Sequence, residues 1–248
     1  MAAVAAGHST AEYAAILNPD GSLAFGIADM GVFNAITVGY LPGIWPHFAA
    51  ASWVLAECNL PAPVLQALLA RKRGAHFKLA VDPVSVHKAM RLPAELAGID
   101  VLFVNEDEAE ALLGLDARHA ISPELAAQAL RERGAGQVVL TLGADGAVVA
   151  SDLGDVVAVP AVPTRPVDVT GAGDALIAAT LARLVAGSTL VEAVRIGSLA
   201  AALTVESDAS VCPEMSEGLL ASMAHRLGRA PAPAHAPDGG GEHYAALP

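Results

Sequence analysis

Three observations predict an α/β fold built on a mostly parallel sheet. From Thr37 onward, segments with helical spacing alternate with short strand-like runs, the order expected of parallel strands joined by crossover helices. The runs Val101–Val104 and Val138–Thr141 are apolar and rich in β-branched side chains, as expected of strands covered on both faces. The chain has 248 residues, 54% of them hydrophobic, with a mean hydropathy of +0.49, enough for one large domain with a substantial core.

The elements follow in order. Tyr13–Leu17 and Leu23–Ala28 flank Asn18-Pro19-Asp20-Gly21, whose residues suit a hairpin turn. The pattern then predicts a helix near 37–50, a strand at 52–57, a helix at 61–72, and strands at 76–81 and 99–104. Helices at 106–113 and 122–133 precede a strand at 137–141, which Gly143–Gly146 should turn back into Ala147–Ser151. A short strand at Val156–Val159 and helices near 172–186, 189–206 and 213–227 complete the domain, 1–228. The Pro-, Ala- and Gly-rich stretch 229–248 has nothing to pack and is expected to be a disordered tail.

Composition excludes several functions. A formal charge of −12 and a pI near 4.9, with no Lys/Arg cluster beyond Arg71-Lys72-Arg73, argue against a nucleic-acid partner. No uncharged apolar run reaches the roughly 18–20 residues of a membrane span, and Met1–Ala6 lacks the features of a signal peptide. Cys58 and Cys212 are far apart, so neither a disulfide framework nor a zinc site is indicated, and a cytoplasmic location is the simplest expectation. There is no P-loop, no complete dinucleotide-binding glycine motif and no nucleophile elbow preceded by a strand.

The most informative segment is Asp168-Val169-Thr170-Gly171-Ala172-Gly173-Asp174, which leads directly into an apolar helical run. The first N–H groups of a helix have no internal partner and carry the positive end of its dipole, so Gly171, Ala172 and Gly173 form a ready anion cradle. An acid beside a bound phosphate is costly without a task. Asp174 therefore reads as a catalytic base, or alternatively as an acid placed in a first helical turn by the dipole. Asn105 and Glu108 also leave two readings open. They can organise Mg²⁺ near phosphates at a strand end, or form a capping box on the helix that follows. Thr141, Gly143 and Gly146 suit either a nucleotide lying along the turn or an ordinary hairpin. Asp82-Pro83-Val84-Ser85, with Lys88 and Arg91, reads as contacts to substrate or as a proline-directed loop with solvated bases.

Three ordered motifs carry a resemblance. The string D-x-T-G-A-G-D at 168–174, Asn105–Glu108 as N-x-x-E, and Thr141–Gly146 as T-x-G-x-x-G resemble the signatures of the ribokinase-like (PfkB) carbohydrate and nucleoside kinases. Within that family, Ala28-Asp29-Met30, Val81–Ser85 with Lys88, and Asn105–Glu110 most resemble pseudouridine kinases.

The resemblance implies a ribokinase-like sheet flanked by helices, with the hairpin as remnant of a small β lid over the sugar. It implies an ATP-dependent transfer of the γ-phosphate to a hydroxyl of a sugar or nucleoside. Asp174 would be the base and Gly171–Gly173 the anion hole, with Asn105, Thr141, Gly143 and Gly146 on the nucleotide. Asp29, Asp82 and Lys88 would meet the substrate, and Glu108 and Asp168 would serve metal binding. Mg²⁺ is the implied cofactor, with a monovalent cation near Asp168, Thr170 and Val205–Ser210. Pairing through the lids would give a homodimer.

The match runs from about Thr10–Tyr13 to about Leu227, and the family's initial strand, Gly-Gly motif and neighbouring helices have no counterpart in it. The expectation is a partial gene product, a misplaced start or a chain that borrows a partner surface, with substrate affinity reduced more than nucleotide affinity. A catalytically inactive nucleotide-binding or dimerisation module is the alternative.

Overall fold

The computed structural model of the chain describes residues 4–18, 23–115, 121–152 and 154–228. The expected hairpin turn falls largely, and the expected disordered tail wholly, outside the described residues. Strands β1 (Glu12–Leu17) and β2 (Leu23–Asp29) form a separate antiparallel pair. Its cross-strand neighbours Ala14–Ile27 and Ile16–Phe25 share one face, and Phe25 and Ile27 are 56% and 60% exposed. On the other face the Tyr13 ring lies across Gly26, where any β-carbon would collide with it.

The main sheet has six strands that neighbour one another in chain order: β3 (Trp53–Glu57), β4 (Lys78–Asp82), β5 (Val101–Asn105), β6 (Gln137–Thr141), β7 (Ala147–Ala150) and β8 (Val156–Val159). The pairs from β3 to β6 are parallel, and β7 and β8 continue the sheet antiparallel. The predicted class is observed. β3 is an edge strand, and Leu55 on it is 48% exposed.

Alternation along the central strands divides the core into two layers. Leu102, Val104, Val138 and Leu140 pack with helices α2 (Ala62–Lys72) and α5 (Pro123–Glu132). Val101, Phe103 and Val139 face the opposite way, onto α6 (Ala172–Val185) and α7 (Leu190–Val205) through Leu176, Ile177, Leu190 and Val194. Successive strand side chains point to opposite faces, so an unbroken apolar run is what a sheet sandwiched between helices needs.

Several of the remaining helices differ in detail from the pattern-based reading. The 37–50 segment is a short 3₁₀ turn, Val38–Tyr40, followed by α1 (Leu41–Ala50). Trp45 and Phe48 of α1 meet Phe77 edge-on, at ring distances of 5.6 and 6.0 Å, which ties α1 to the approach to β4. A short helix, α3 (Val86–Ala89), follows β4, and α4 (Glu106–Leu113) follows β5. The expected helix at 213–227 is shorter, α8 (Glu217–Met223) with a 3₁₀ turn at Ala224–Arg226. Its N-cap Ser216 accepts the Leu219 N–H at 3.2 Å, so the helix starts there and not earlier.

Candidate active site

The carboxyl ends of β3, β4, β5 and β6 lie side by side, because the strands are parallel and in register. Glu57 pairs with Asp82, and Asn105 with Thr141. Polar residues that end four apolar strands are thereby collected on one rim, where open α/β sheets place ligands.

Asp82 is the electrostatic centre of this rim. Burial pushes its carboxyl pKa up, the charge of Asp174 adds to that, and the Val84 N–H and the Lys88 charge act in the opposite sense. Glu108 is buried and its pKa is also raised, first by desolvation and then by Asp82 and Asp107. Glu57 is raised by desolvation, opposed by hydrogen bonds from Asn59 and by Lys88. Asp174 thus lies within electrostatic reach of the strand ends, and Lys88 of α3 is the cation among them. The Asp174 side chain is exposed to solvent.

The start of α6 is built differently from those of its neighbours. Helices α4, α5, α7 and α8 are each capped by a side chain, from Asn105, Ser122, Thr189 and Ser216. α6 begins at Gly171, φ 83°, with no side-chain cap. The Ala172 N–H reaches back to the Val169 carbonyl at 3.3 Å, and Thr170 N–H donates to Asp168 Oδ1 at 2.8 Å. A β-carbon at 171 would collide with the Ser210 carbonyl, whereas one at 173 would meet no atom within 4 Å. Gly171 is therefore demanded by the backbone, while Gly173 leaves open room beside the amides of the first turn.

Of the two readings of Asn105 and Glu108, the structure shows the cap directly. The capping box is formed, with Glu108 N–H on Asn105 Oδ1 at 2.8 Å and Asn105 N–H on Glu108 Oε2 at 3.0 Å. The same box holds the Glu108 carboxylate among like charges, where a divalent cation would relieve the repulsion. Carboxylate and amide oxygens are the hard donors that Mg²⁺ takes, and its retained waters account for a small protein ligand set. Among the described residues there is no pre-built cluster of three or more His, Cys, Asp or Glu side chains suited to a metal.

The other sequence-derived residues are placed as follows. Thr141 ends β6 and its hydroxyl donates to the Val104 carbonyl at 3.3 Å. Gly143 has φ 57°, and Gly146, φ 99°, is pressed against Val159–Ala161, so both glycines are required by the turn itself. Asp168 forms a local turn with Thr170, whose hydrogen bonds lower its pKa. The Val205 carbonyl already accepts from Val167 and Asp168 N–H groups, at 2.6 and 3.3 Å. Asp29 ends β2 and accepts the Gly31 N–H at 3.1 Å. It lines an open hollow of about 490 Å³ with Glu12, Tyr13, Ala14 and Ile27. No hydrogen bond among the described residues links it to the rim.

Sequence reasoning missed Glu57 and Asn59, and misread Arg91. The Asn59 side-chain amide donates to Glu57 Oε2, and the Asn59 side-chain oxygen Oδ1 is buried without a hydrogen-bond partner among the described residues. Arg91 is not a solvated base. Its Nη1 donates to the carbonyls of Cys58 and Asn59 at 2.9 and 2.8 Å, and to Leu60 at 3.5 Å, so it ties the loop after β3 to the segment after α3. Cys58 between them is fully buried, and its thiol is pushed up to about 12 by desolvation and by Asp82 and Glu57, so it is inert. An acid as the last residue of an apolar strand was the available signal for Glu57, as it is for Asp82.

Val84 is an outlier beside this centre. It has φ 68°, alone among the non-glycine residues described, and the Ser85 N–H to Pro83 carbonyl bond of 2.8 Å closes a three-residue turn around it. A β-branched residue in such a turn is held at a cost of about 1–3 kcal/mol.

The uncapped start of α6, with Asp174 in its first turn acting on Asp82, and the polar rim of parallel strand ends define an α/β protein with a candidate ligand site at those ends. A family model described as pfkB family carbohydrate kinase matches residues 47–214. The chain belongs to this family. It is 29% identical over 210 residues to the pseudouridine kinase of Escherichia coli (strain K12), a match covering 85% of this chain and 66% of that protein. A carbohydrate kinase from Agrobacterium tumefaciens has a similar structure, with TM-score 0.74 and 33% identity over 89% of this chain and 70% of that one. An Arabidopsis thaliana ribokinase, solved with ribose and ATP, shares the fold at TM-score 0.66 and 23% identity, covering 89% and 70% of the two chains. The chain thus spans somewhat less than two thirds of the length of the Escherichia coli relative.

Proposed function

We propose that the chain is an ATP-dependent kinase that transfers the γ-phosphate to a hydroxyl of a small sugar or nucleoside, with pseudouridine the favoured acceptor. The observation that carries this reading is the uncapped start of α6 with Asp174 in its first turn, beside Asp82. Residues 1–228 act as one kinase domain in the cytoplasm. No described helix is long and apolar enough to cross a membrane.

Asp174 accepts the proton of the acceptor hydroxyl as its oxygen attacks the terminal phosphorus. The amides of Gly171, Ala172 and Gly173 receive the charge that develops on the transferring group. Lys88 and Asp82 orient the acceptor, and the buried Asn59 oxygen supplies an acceptor for one of its hydroxyls. The nucleotide lies along Thr141–Gly146 and Asn105. Mg²⁺, when bound near Glu108, would neutralise charge on the phosphates, and the carboxylate oxygens there fit it. A monovalent cation near Asp168 and a homodimer through the open hairpin face belong to the same reading.

A second reading, a nucleotide-binding or dimerisation module without turnover, is favoured by one observation. Asp174 is exposed to solvent. The deciding experiment incubates the full chain with ATP, Mg²⁺ and pseudouridine, ribose or adenosine, and follows phosphorylated product by mass spectrometry alongside ATP binding. Product from pseudouridine supports the kinase. ATP binding without any product overturns it in favour of the module.

A further inference from the structure

Val84 holds an unfavourable backbone without any packing that explains it. It belongs to none of the three core clusters and is 38% exposed. Glycine would adopt the same turn without strain, and the β-branched side chain limits the alternatives open to the backbone. Three-residue turns of this hand are rare, and strain of this kind persists where the surroundings over-determine it, most often beside a site.

The turn is fixed on both sides. Pro83 before it supplies the carbonyl that Ser85 N–H bonds. Ser85 after it caps α3, accepting the Lys88 N–H at 3.4 Å. Between them the Val84 N–H donates to Asp82 Oδ1 at 2.9 Å. One strained residue therefore links the carboxylate that feels the Asp174 charge to the short helix that carries Lys88.

We propose that Val84 is a positioning residue whose strained turn holds the Asp82 carboxylate in place at the strand rim, at the expense of stability. For its effect on turnover this inference rests on the kinase reading. The hydrogen bond it invokes does not.

The test compares the full chain with Val84→Gly, Val84→Ile, Asp82→Ala and the Val84→Gly/Asp82→Ala double variant. Val84→Gly melts higher by about 2–6 °C, because the strain is relieved. Its kcat with the acceptor falls about tenfold while the KM for ATP stays within about twofold, and Val84→Ile keeps wild-type kinetics. In the Asp82→Ala background Val84→Gly causes no further loss, which is what action through Asp82 requires. A Val84→Gly protein that is more stable and turns over as the wild type overturns the inference, as does an equal loss in both backgrounds. Amide exchange at residue 84 decides the matter if the wild type proves inactive. An amide protected in the wild type and exposed in Asp82→Ala sustains the inference although the kinase reading has failed. Equal exchange in the two proteins refutes it.

Discussion

Glu57 and Asp82 end neighbouring parallel strands in direct register, and the charge of Asp82 helps to raise the Glu57 carboxyl pKa. Two acids held side by side, with Glu108 and Asp174 acting on the same centre, concentrate negative charge on this strand rim. Such a rim is electrostatically incomplete without cations. Lys88 and Arg91 are two that the chain supplies in that neighbourhood.

On the proposed reading Asp174 is the base, and replacing it removes the chemistry without removing the site. Asp174→Asn lowers kcat by about 10²–10⁴ and leaves ATP affinity within about twofold, checked by a coupled assay with parallel titration calorimetry. Equal turnover in the variant would remove Asp174 from its role.

The two glycines of the α6 start separate folding from function. Gly171→Ala meets the Ser210 carbonyl at a positive φ and unfolds at clearly lower denaturant, losing at least about 1–3 kcal/mol. Gly173→Ala meets nothing, so its melting temperature is unchanged or slightly higher, yet phosphate transfer drops at least about tenfold. Denaturant titrations and initial rates on the two proteins check the contrast.

Glu108 gives a pH signature of definite sign. Its folded pKa lies above the ordinary 4.5, so its contribution to stability is full below that value and is lost as pH rises through the folded one. Glu108→Gln keeps the capping box, and at pH 7 it raises the melting temperature by about 2–4 °C while flattening this slope. Mg²⁺ stabilises the wild type more than the variant. Thermal melts across pH, with and without the ion, provide the measurement.

Glu206 gives the opposite sign. Arg226 and the Thr164 hydroxyl hold its pKa at about 2, with Arg226 at 2.7 Å from Oε1 and 2.9 Å from Oε2. The stability it adds is present above the ordinary value of 4.5 and fades as pH falls from there towards about 2. The pair is partly exposed, so Arg226→Ala costs about 1 kcal/mol, or about 2–4 °C, at pH 7 and less in acid.

What could be read from the amino acids alone was local. The Asp168–Asp174 string announces a loop-to-helix junction by spacing, and unbroken runs such as Val101–Val104 announce a sheet covered twice. Glu57 offered only its place at the end of an apolar strand, because its fuller meaning arises from register with Asp82 across a parallel ladder. The role of Arg91 depends on carbonyls more than thirty positions away in sequence, such as that of Cys58. Helix α3, four residues long, is too short to show periodicity. Nothing in the residue type of Val84 hints at its φ of 68°, since valine prefers the opposite region. Asn105 and Glu108 were ambiguous for a physical reason: the cap that ends the strand also presents the carboxylate.

The outer flank of β3, with Leu55 bare beside it, offers a second extended backbone somewhere to lie down and continue the ladder. In concentrated solution that edge is therefore expected to favour strand-on-strand association. Leu55→Lys would weaken that association by placing a charge beside the open edge.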